Sequence, residues 1–563
     1  MISKQLFPLV RTAAILSVAA ISAFSQSAAL PNFNRPQSFD VQHYTLRVGF
    51  DRSKKTVTGD TTVSLKPLKA GFTAVELDAV DLSFQSVKLE PAGTDLPYRA
   101  VEGKVIVTLD KSYGPDDTVS IRFKYTAKPV KGIYFREAAG SRSSQIWTQG
   151  EPDEARHWFP SFDFPSDKAT TEQFITVDKG ETVIGNGVLV EKTDTPDGKE
   201  TWHYKMTVPH STYLVSFVVG KYAKVEDKYK DVSLGHYIYP GKEHVARNAY
   251  GRTVDMMAYF EQVTGVPYPY NKYDQTVVAD FQFGGMENIT ATTMADSEIM
   301  LAETEFGKLL VMDLVSHELA HSWFGNLVTC KNWAELWLNE GFATFMEAAY
   351  REKFLGRADY LAKIRSDAAN AIIDDAITRR RHGLFNRRAN DVSSLFDNPS
   401  VTYNKGGAVV HMLREQVGNE TFWKAINTYL TRHKFASVES TDLKKVMEEA
   451  SGQDLKWFFD QWVYATGHPK LSVSPIYSVR GKSLRLSITQ TQKLDPLIPT
   501  AFRLPIEIEI ATPRGVKREK VEITKRVQTF NLPLDAKPQS IKIDPDEKVI
   551  IKEVKLSRIL AGR

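Results

Sequence analysis

His317-Glu318-Leu319-Ala320-His321, followed downstream by Trp337-Leu338-Asn339-Glu340-Gly341, decides how this chain is read. Histidines at i and i+4 share one face of a helix, so both rings can reach a single metal ion. A catalytic zinc takes three protein ligands and keeps one position open for water. His317 and His321 supply two ligands, and Glu340 is the candidate third. Glu318, beside the first ligand, stands where a general base acts on the bound water. The chain holds only 12 histidines in 563 residues, so this pairing with a third acid is selective.

The neighbouring residues support both helices. Leu309, Leu310, Leu314, Leu319 and Phe324 predict an apolar frame around a buried helix. Residues 334–349 contain no proline and only Gly341, which predicts a second helix carrying Glu340.

Two further segments extend the pattern: Gly284-Gly285-Met286-Glu287-Asn288 upstream and Thr402-Tyr403-Asn404-Lys405-Gly406 downstream. With them the chain resembles the gluzincin aminopeptidases, the family of aminopeptidase N and leukotriene hydrolase. That family joins a GxMEN exopeptidase motif to HExxH, a glutamate on the following helix and a later tyrosine, in this order. Val57-Thr58-Gly59, Phe159-Pro160-Ser161-Phe162-Asp163 and Ser211-Thr212-Tyr213-Leu214 resemble its N-terminal domain. Phe458-Phe459-Asp460-Gln461-Trp462 resembles the end of its catalytic domain. The likeness covers about residues 36–560.

The resemblance implies one Zn2+ per chain and peptide substrates with a free N-terminus. It casts Tyr403 as the donor to the oxyanion of the tetrahedral intermediate. Glu287 and, from Thr148-Gln149-Gly150-Glu151-Pro152, Glu151 become carboxylates that hold the substrate's α-ammonium group. Gly284, Gly285, Met286 and Asn288 complete the expected substrate-binding set, the glycines admitting substrate backbone as an added strand. The chain departs from the family at Ile289-Thr290, where many members have an aromatic and a glycine. It departs again at Asn332-Trp333, where many have paired tryptophans. These positions bear on subgroup and side-chain preference, not on the chemistry. Arg379-Arg380-Arg381 reads as a solvated charge run.

Residues 1–29 read as a secretory signal. Lys4 and Arg11 are its basic part, residues 13–24 a short apolar stretch, and Ser27-Ala28-Ala29 a small-residue cleavage site. A periplasmic or secreted location is therefore expected, with no stable membrane span after signal removal. Losing Lys4 and Arg11 lowers the formal charge from +4 to +2, too little for a nucleic-acid partner. The single cysteine, Cys330, cannot form an internal disulfide and reads as a packed small apolar residue.

Patterning gives the domain order. Alternating stretches such as Tyr44-Thr45-Leu46-Arg47-Val48 predict a β domain over 30–225. Helical spacing, as in Phe422, Ile426 and Leu430, predicts a mostly helical catalytic domain over 226–467, thermolysin-like by the resemblance. Strands return over 468–563 as a β-sandwich, among them Ile506-Glu507-Ile508-Glu509-Ile510. The expected class is multidomain α+β. The family's larger members carry a further helical domain after such a sandwich, which implies an unusually accessible cleft here unless another subunit covers it. An open-cleft zinc endopeptidase or broad-specificity peptidase is the alternative activity. An epoxide hydrolase and a non-enzymatic scaffold are further readings. Oligomeric state and the preferred first residue are left open.

Overall fold

Strict alternation builds the N-terminal part: along Val119–Ala127 every second residue is buried, as a half-covered strand requires. The computed structural model describes residues 31–140, 142–377, 381–390 and 392–562. The signal expected over 1–29 lies outside them, as do Arg379 and Arg380. An eight-stranded sheet runs in the spatial order Val188–Asp194, Lys199–His210, Ala169–Asp178, Phe39–Asp51, Thr56–Pro67, Val119–Ala127, Leu82–Glu90 and Thr94–Asp95. Phe39–Asp51 pairs parallel to Ala169–Asp178 and antiparallel to Thr56–Pro67. Gly59 is required here, because a Cβ would stand 2.1 Å from the Tyr125 ring. That ring's hydroxyl donates to the Trp158 carbonyl at 2.7 Å.

The next portion begins with a further sheet, interrupted along the chain by two helices, Glu243–Tyr250 and Thr253–Thr264. Its order is Ala223–Tyr229, Val232–Ile238, β1 (Lys272–Val278), β3 (Ala291–Ala295) and β2 (Gly285–Met286). The sequence pattern predicts helices from about residue 230. It misses these strands because β1 and β3 are buried on both faces and show no alternation. Helices follow: α1 (Glu305–Ala320), α2 (Trp337–Leu355), α3 (Arg357–Ile377) and α4 (Gly406–Val417). None of the described helices is long and apolar enough to cross a membrane.

The C-terminal strands form two sheets. One holds Val527–Pro533, Ser483–Gln490, Lys470–Ser478 and Glu553–Leu556, and the other Gly515–Ile523, Leu504–Thr512 and Ser540–Ile543. Their inner faces share one apolar core with the helices, so the sandwich extends the catalytic core rather than closing its own. The seam is specific. Trp462 packs on Phe502 at 5.3 Å between ring centroids. The Gln461 amide donates to the Arg503 carbonyl and accepts from the Arg503 N–H, both at 2.9 Å. Cys330 is fully buried, in a short strand paired with Ser437–Val438.

His236, on Val232–Ile238, is buried and stacks on the Tyr250 ring with 4.9 Å between centroids. Burial lowers its imidazole from 6.5 to about 4, against the weaker opposing pull of Asp227. A histidine with a depressed folded pKa contributes stability above its unfolded pKa, and that contribution is lost as pH falls toward the folded value. Between pH 6.5 and 4 the native protein should therefore lose stability relative to His236→Phe, by up to about 1.4 kcal/mol per pH unit. Denaturation midpoints of the two proteins across this range check it, and a pH-independent difference contradicts it.

Candidate active site

Thr304 opens α1 with a side-chain cap, its hydroxyl accepting from the Gly307 N–H at 3.0 Å. The buried face of α1 is Val311, Met312, Val315 and Leu319, whereas Leu310, expected in the frame, is 44% exposed. Leu314, also expected in the frame, instead lines a cavity on a third face of the helix. That cavity, of about 610 Å³, also takes in Glu151, Gly284, Gly285, Glu287, His317, Glu318, His321, Glu340 and Tyr403.

Glu340 lies in the first turn of α2, as the sequence predicts. Its Oε2 stands 3.1 Å from His317 Nε2 and 3.4 Å from His321 Nε2. The remaining ring nitrogens are engaged: His317 Nδ1 donates to Glu347 Oε1 at 2.7 Å, and His321 Nδ1 donates to the Phe324 carbonyl at 2.9 Å. Each ring then turns its Nε2 inward, toward the Glu340 carboxylate. Two imidazole nitrogens and a carboxylate oxygen that converge in this way are a donor set for a bound cation. The three ligand atoms lie within 4.8 Å of one another, so the residues fit a metal ion.

The electrostatics show the same demand. Burial depresses the His321 imidazole, yet Glu287 and Glu340 carry it up to about 9. Burial raises the Glu340 carboxyl, yet His321 and His317 hold it at about 2. Burial leads in pushing Glu318 up to about 8. Burial, then Glu287 and Glu340, raise Glu151 well above the carboxylate range. A site that draws protons in this way is short of positive charge.

Residues 284–287 track α1 in the same direction. A Cβ on Gly284 would meet Leu314 at 3.1 Å, one on Gly285 would meet the Glu318 carboxylate at 2.3 Å, and Glu287 Oε1 lies 3.8 Å from His321 Nδ1. The two glycines thus make room first for α1 itself, with Gly285 reserved for Glu318. Both glycines also line the cavity, where the sequence expects substrate backbone. Met286 and Asn288, also expected at the substrate, line no part of the cavity. They are engaged elsewhere. There Met286 Sδ accepts from the Gln149 amide at 3.3 Å, and the Asn288 amide donates to Thr293 Oγ1 at 3.0 Å. Ile289 is fully buried, and Thr290 Oγ1 accepts from the Gly187 N–H at 2.7 Å. The two departures at 289–290 are therefore packing positions.

Glu151 follows the strand Gln145–Thr148, which pairs with Phe217–Gly220 and Ile133–Arg136 in a four-stranded sheet of the N-terminal part. A Cβ on Gly150 would stand 2.3 Å from the Tyr213 carbonyl, so the loop is pressed on Ser211-Thr212-Tyr213-Leu214. Glu151 Oε1, Glu287 Oε1 and Glu318 Oε2 are buried and have no hydrogen-bond partner among the described residues. Arg381 lies 3.9 Å from Asp495 and away from the cavity lining.

Tyr403 sits in a π-helical turn, Val401–Lys405, and stacks on the His317 ring at 5.9 Å. Burial, then Glu340, raise its hydroxyl well above 10, so it stays protonated as a donor. The turn is seated by two glycines. A Cβ on Gly406 would stand 2.7 Å from Gly341 Cα, and one on Gly341 would stand 2.9 Å from Gly406 Cα. Residues adjacent to these glycines carry the site: Glu340 precedes one and Tyr403 lies three before the other.

Sequence reasoning missed a buried chain of charges. Glu347 joins His317 to Lys363 Nζ, 2.8 Å away, and Lys363 Nζ donates to Asp367 at 2.9 Å. Asp367 Oδ1 accepts from the Asn404 amide at 2.8 Å. This links a candidate metal ligand to the residue beside Tyr403. Glu347 falls two helical turns after Glu340 on α2, a spacing that could have flagged it. Lys363 and Asp367 carry no such signal.

Known proteins were compared with the chain. The model of the peptidase family M1 domain matches residues 248–462, and that of the peptidase M1 N-terminal domain matches residues 40–214. Aminopeptidase 2 of Candida albicans is 26% identical over 529 residues, covering 92% of this chain and 56% of that protein. Probable aminopeptidase 1 of Saccharolobus solfataricus is 29% identical over 459 residues, covering 80% and 57%. Tricorn protease-interacting factor F2 of Thermoplasma acidophilum is 29% identical over 495 residues, covering 87% and 60%. The chain spans somewhat over half the length of these relatives.

The glycine contact yields a direct expectation. Gly406→Ala should cost about 1–3 kcal/mol, the usual penalty of overpacking a tight core. Gly114→Ala, whose Cβ meets nothing nearer than 3.9 Å, should be close to neutral. Chemical denaturation of both variants checks this, and equal shifts contradict it.

Proposed function

This chain belongs to the M1 peptidase family, and on that premise we propose that it is a zinc-dependent aminopeptidase releasing N-terminal residues from peptides. The carrying observation is the pair of buried, unpartnered oxygens, Glu151 Oε1 and Glu287 Oε1, beside the His317–His321–Glu340 triad. Buried carboxylates are costly without a cation. A peptide's free α-ammonium group brings that charge and three N–H donors. Glu151, Glu287 and Glu340 each offer an oxygen within 4.8 Å of the others. An ammonium group held there places the first peptide bond next to the triad, which makes the enzyme an exopeptidase.

His317, His321 and Glu340 would hold the zinc ion, which supplies a Lewis acid and lowers the pKa of water toward ~7. Glu318 takes the proton of the attacking water and delivers it to the leaving amine. Its contact with Gly285 fixes the carboxylate at the cavity wall. Tyr403 donates to the developing oxyanion, an interaction typically worth about 3 kcal/mol. Glu347 holds His317 in the tautomer that keeps Nε2 free. A periplasmic or secreted location, resting on the N-terminal 29 residues, completes the proposal.

The test is a panel of amino-acid arylamides, each with its N-acetylated twin. Free amines should be cleaved, with kcat/KM at least about 100-fold above the twins, since blocking removes a charge-assisted contact of about 3 kcal/mol or more. Glu318→Ala should abolish turnover. Comparable cleavage of acetylated substrates would contradict the amine-anchor reading and favour the open-cleft endopeptidase.

A further inference from the structure

The helix that carries the catalytic motif presents apolar side chains to solvent. Phe306 is 75% exposed and Leu310 is 44% exposed, and Leu314 lines the catalytic cavity. The three lie four residues apart, on one ridge of α1 that ends at Glu318. The solvent face of a surface helix is ordinarily polar. Here the polar positions lie to the side, where Lys308 pairs with Glu305 at 2.6 Å.

The ridge has a direction relative to the reaction. The amine-binding end of the cavity is at the C-terminal end of α1, where Glu287 approaches His321. Going back along the helix, Gly285 meets Glu318 and Gly284 meets Leu314. A substrate anchored by its N-terminus therefore leaves the cavity toward Leu314, then Leu310, then Phe306. At 1.5 Å rise per residue these stand about 6, 12 and 18 Å from Glu318 along the axis. An extended peptide advances about 3.4 Å per residue, so the ridge reaches roughly the third to the sixth residue. Phe283 and Phe396, with ring centroids 5.5 Å apart, add an aromatic wall where the chain leaves.

We infer that the α1 ridge is an extension of the substrate cleft and that Leu310 and Phe306 select peptides with apolar side chains downstream of the cleaved bond. This deepens the aminopeptidase reading and rests on it. The occupant is the substrate's own tail, because the ridge is continuous with the cavity through Leu314. Contact with one apolar side chain at each position removes exposed apolar surface from water, which raises affinity for such tails.

The test uses hexapeptides with the first two residues constant and either leucine or serine at positions three to six. The full-length protein should cleave the leucine series with kcat/KM about tenfold higher, equivalent to about 1.4 kcal/mol. In Phe306→Ser combined with Leu310→Ser the ratio should fall to about two or less, with turnover of an amino-acid arylamide unchanged. Should the double variant fold poorly, Phe306→Ser alone, at the more exposed position, should still lower the ratio. A native enzyme indifferent to the tail, or a ratio unmoved in the variants, overturns the inference. So does a change from dimer to monomer in sedimentation with the ratio unmoved, which would make the ridge an interface between copies. Failure to cleave any arylamide sinks the aminopeptidase reading itself, a different result from arylamide cleavage without tail preference.

Discussion

Two glycines in contact hold this site together. Gly341 and Gly406 come so close that a Cβ on either would overlap the other's Cα. No other residue type allows two backbones this separation. One glycine follows Glu340 and the other closes the turn that carries Tyr403. Their contact sets how near the candidate third ligand and the candidate oxyanion donor stand to each other. The glycines of Asn339-Glu340-Gly341 and Tyr403-Asn404-Lys405-Gly406 thus share one steric cause. Gly285 repeats the theme, its missing side chain leaving the space in which Glu318 sits.

Around that frame the protein concentrates negative charge. Glu151, Glu287, Glu318, Glu340 and Glu347 converge with only two imidazoles and Lys363 against them. Carboxylates crowded in a buried site are destabilising unless cations arrive. Two different cations fit the two halves. The inward Nε2 atoms of His317 and His321 with Glu340 suit a metal ion, whereas Glu151 and Glu287 suit a substrate's ammonium group. Lys363 is spent elsewhere, held between Glu347 and Asp367. Binding and chemistry are thereby coupled through charge: each cation relieves repulsion that the other also feels.

Much of this was legible in the sequence because the decisive residues are close along the chain. The histidine spacing and the helix around Glu340 follow from periodicity alone. Glu287 and Tyr403 come from motif likeness, and the structure brings both to the same cavity. Less was legible where tertiary packing decides. Lys363 and Asp367 sit on α3 with no local signature, and only the fold brings them to Glu347. Met286 and Asn288 belong to the motif but line no part of the cavity, their side chains being held by Gln149 and Thr293. The sheet holding β1 and β3 was hidden because strands buried on both faces do not alternate. Leu310 read as core because apolar character says nothing about which neighbour, protein or ligand, will cover a residue.

The account stands on the convergence of His317, His321 and Glu340 as a metal site. Elemental analysis of the folded protein, purified at neutral pH, measures this most directly. One zinc per chain is predicted for the native sequence, with the metal lost from Glu340→Gln while circular dichroism shows the fold retained. A folded native protein that binds no divalent metal, or a Glu340→Gln variant that keeps its zinc undiminished, would contradict it.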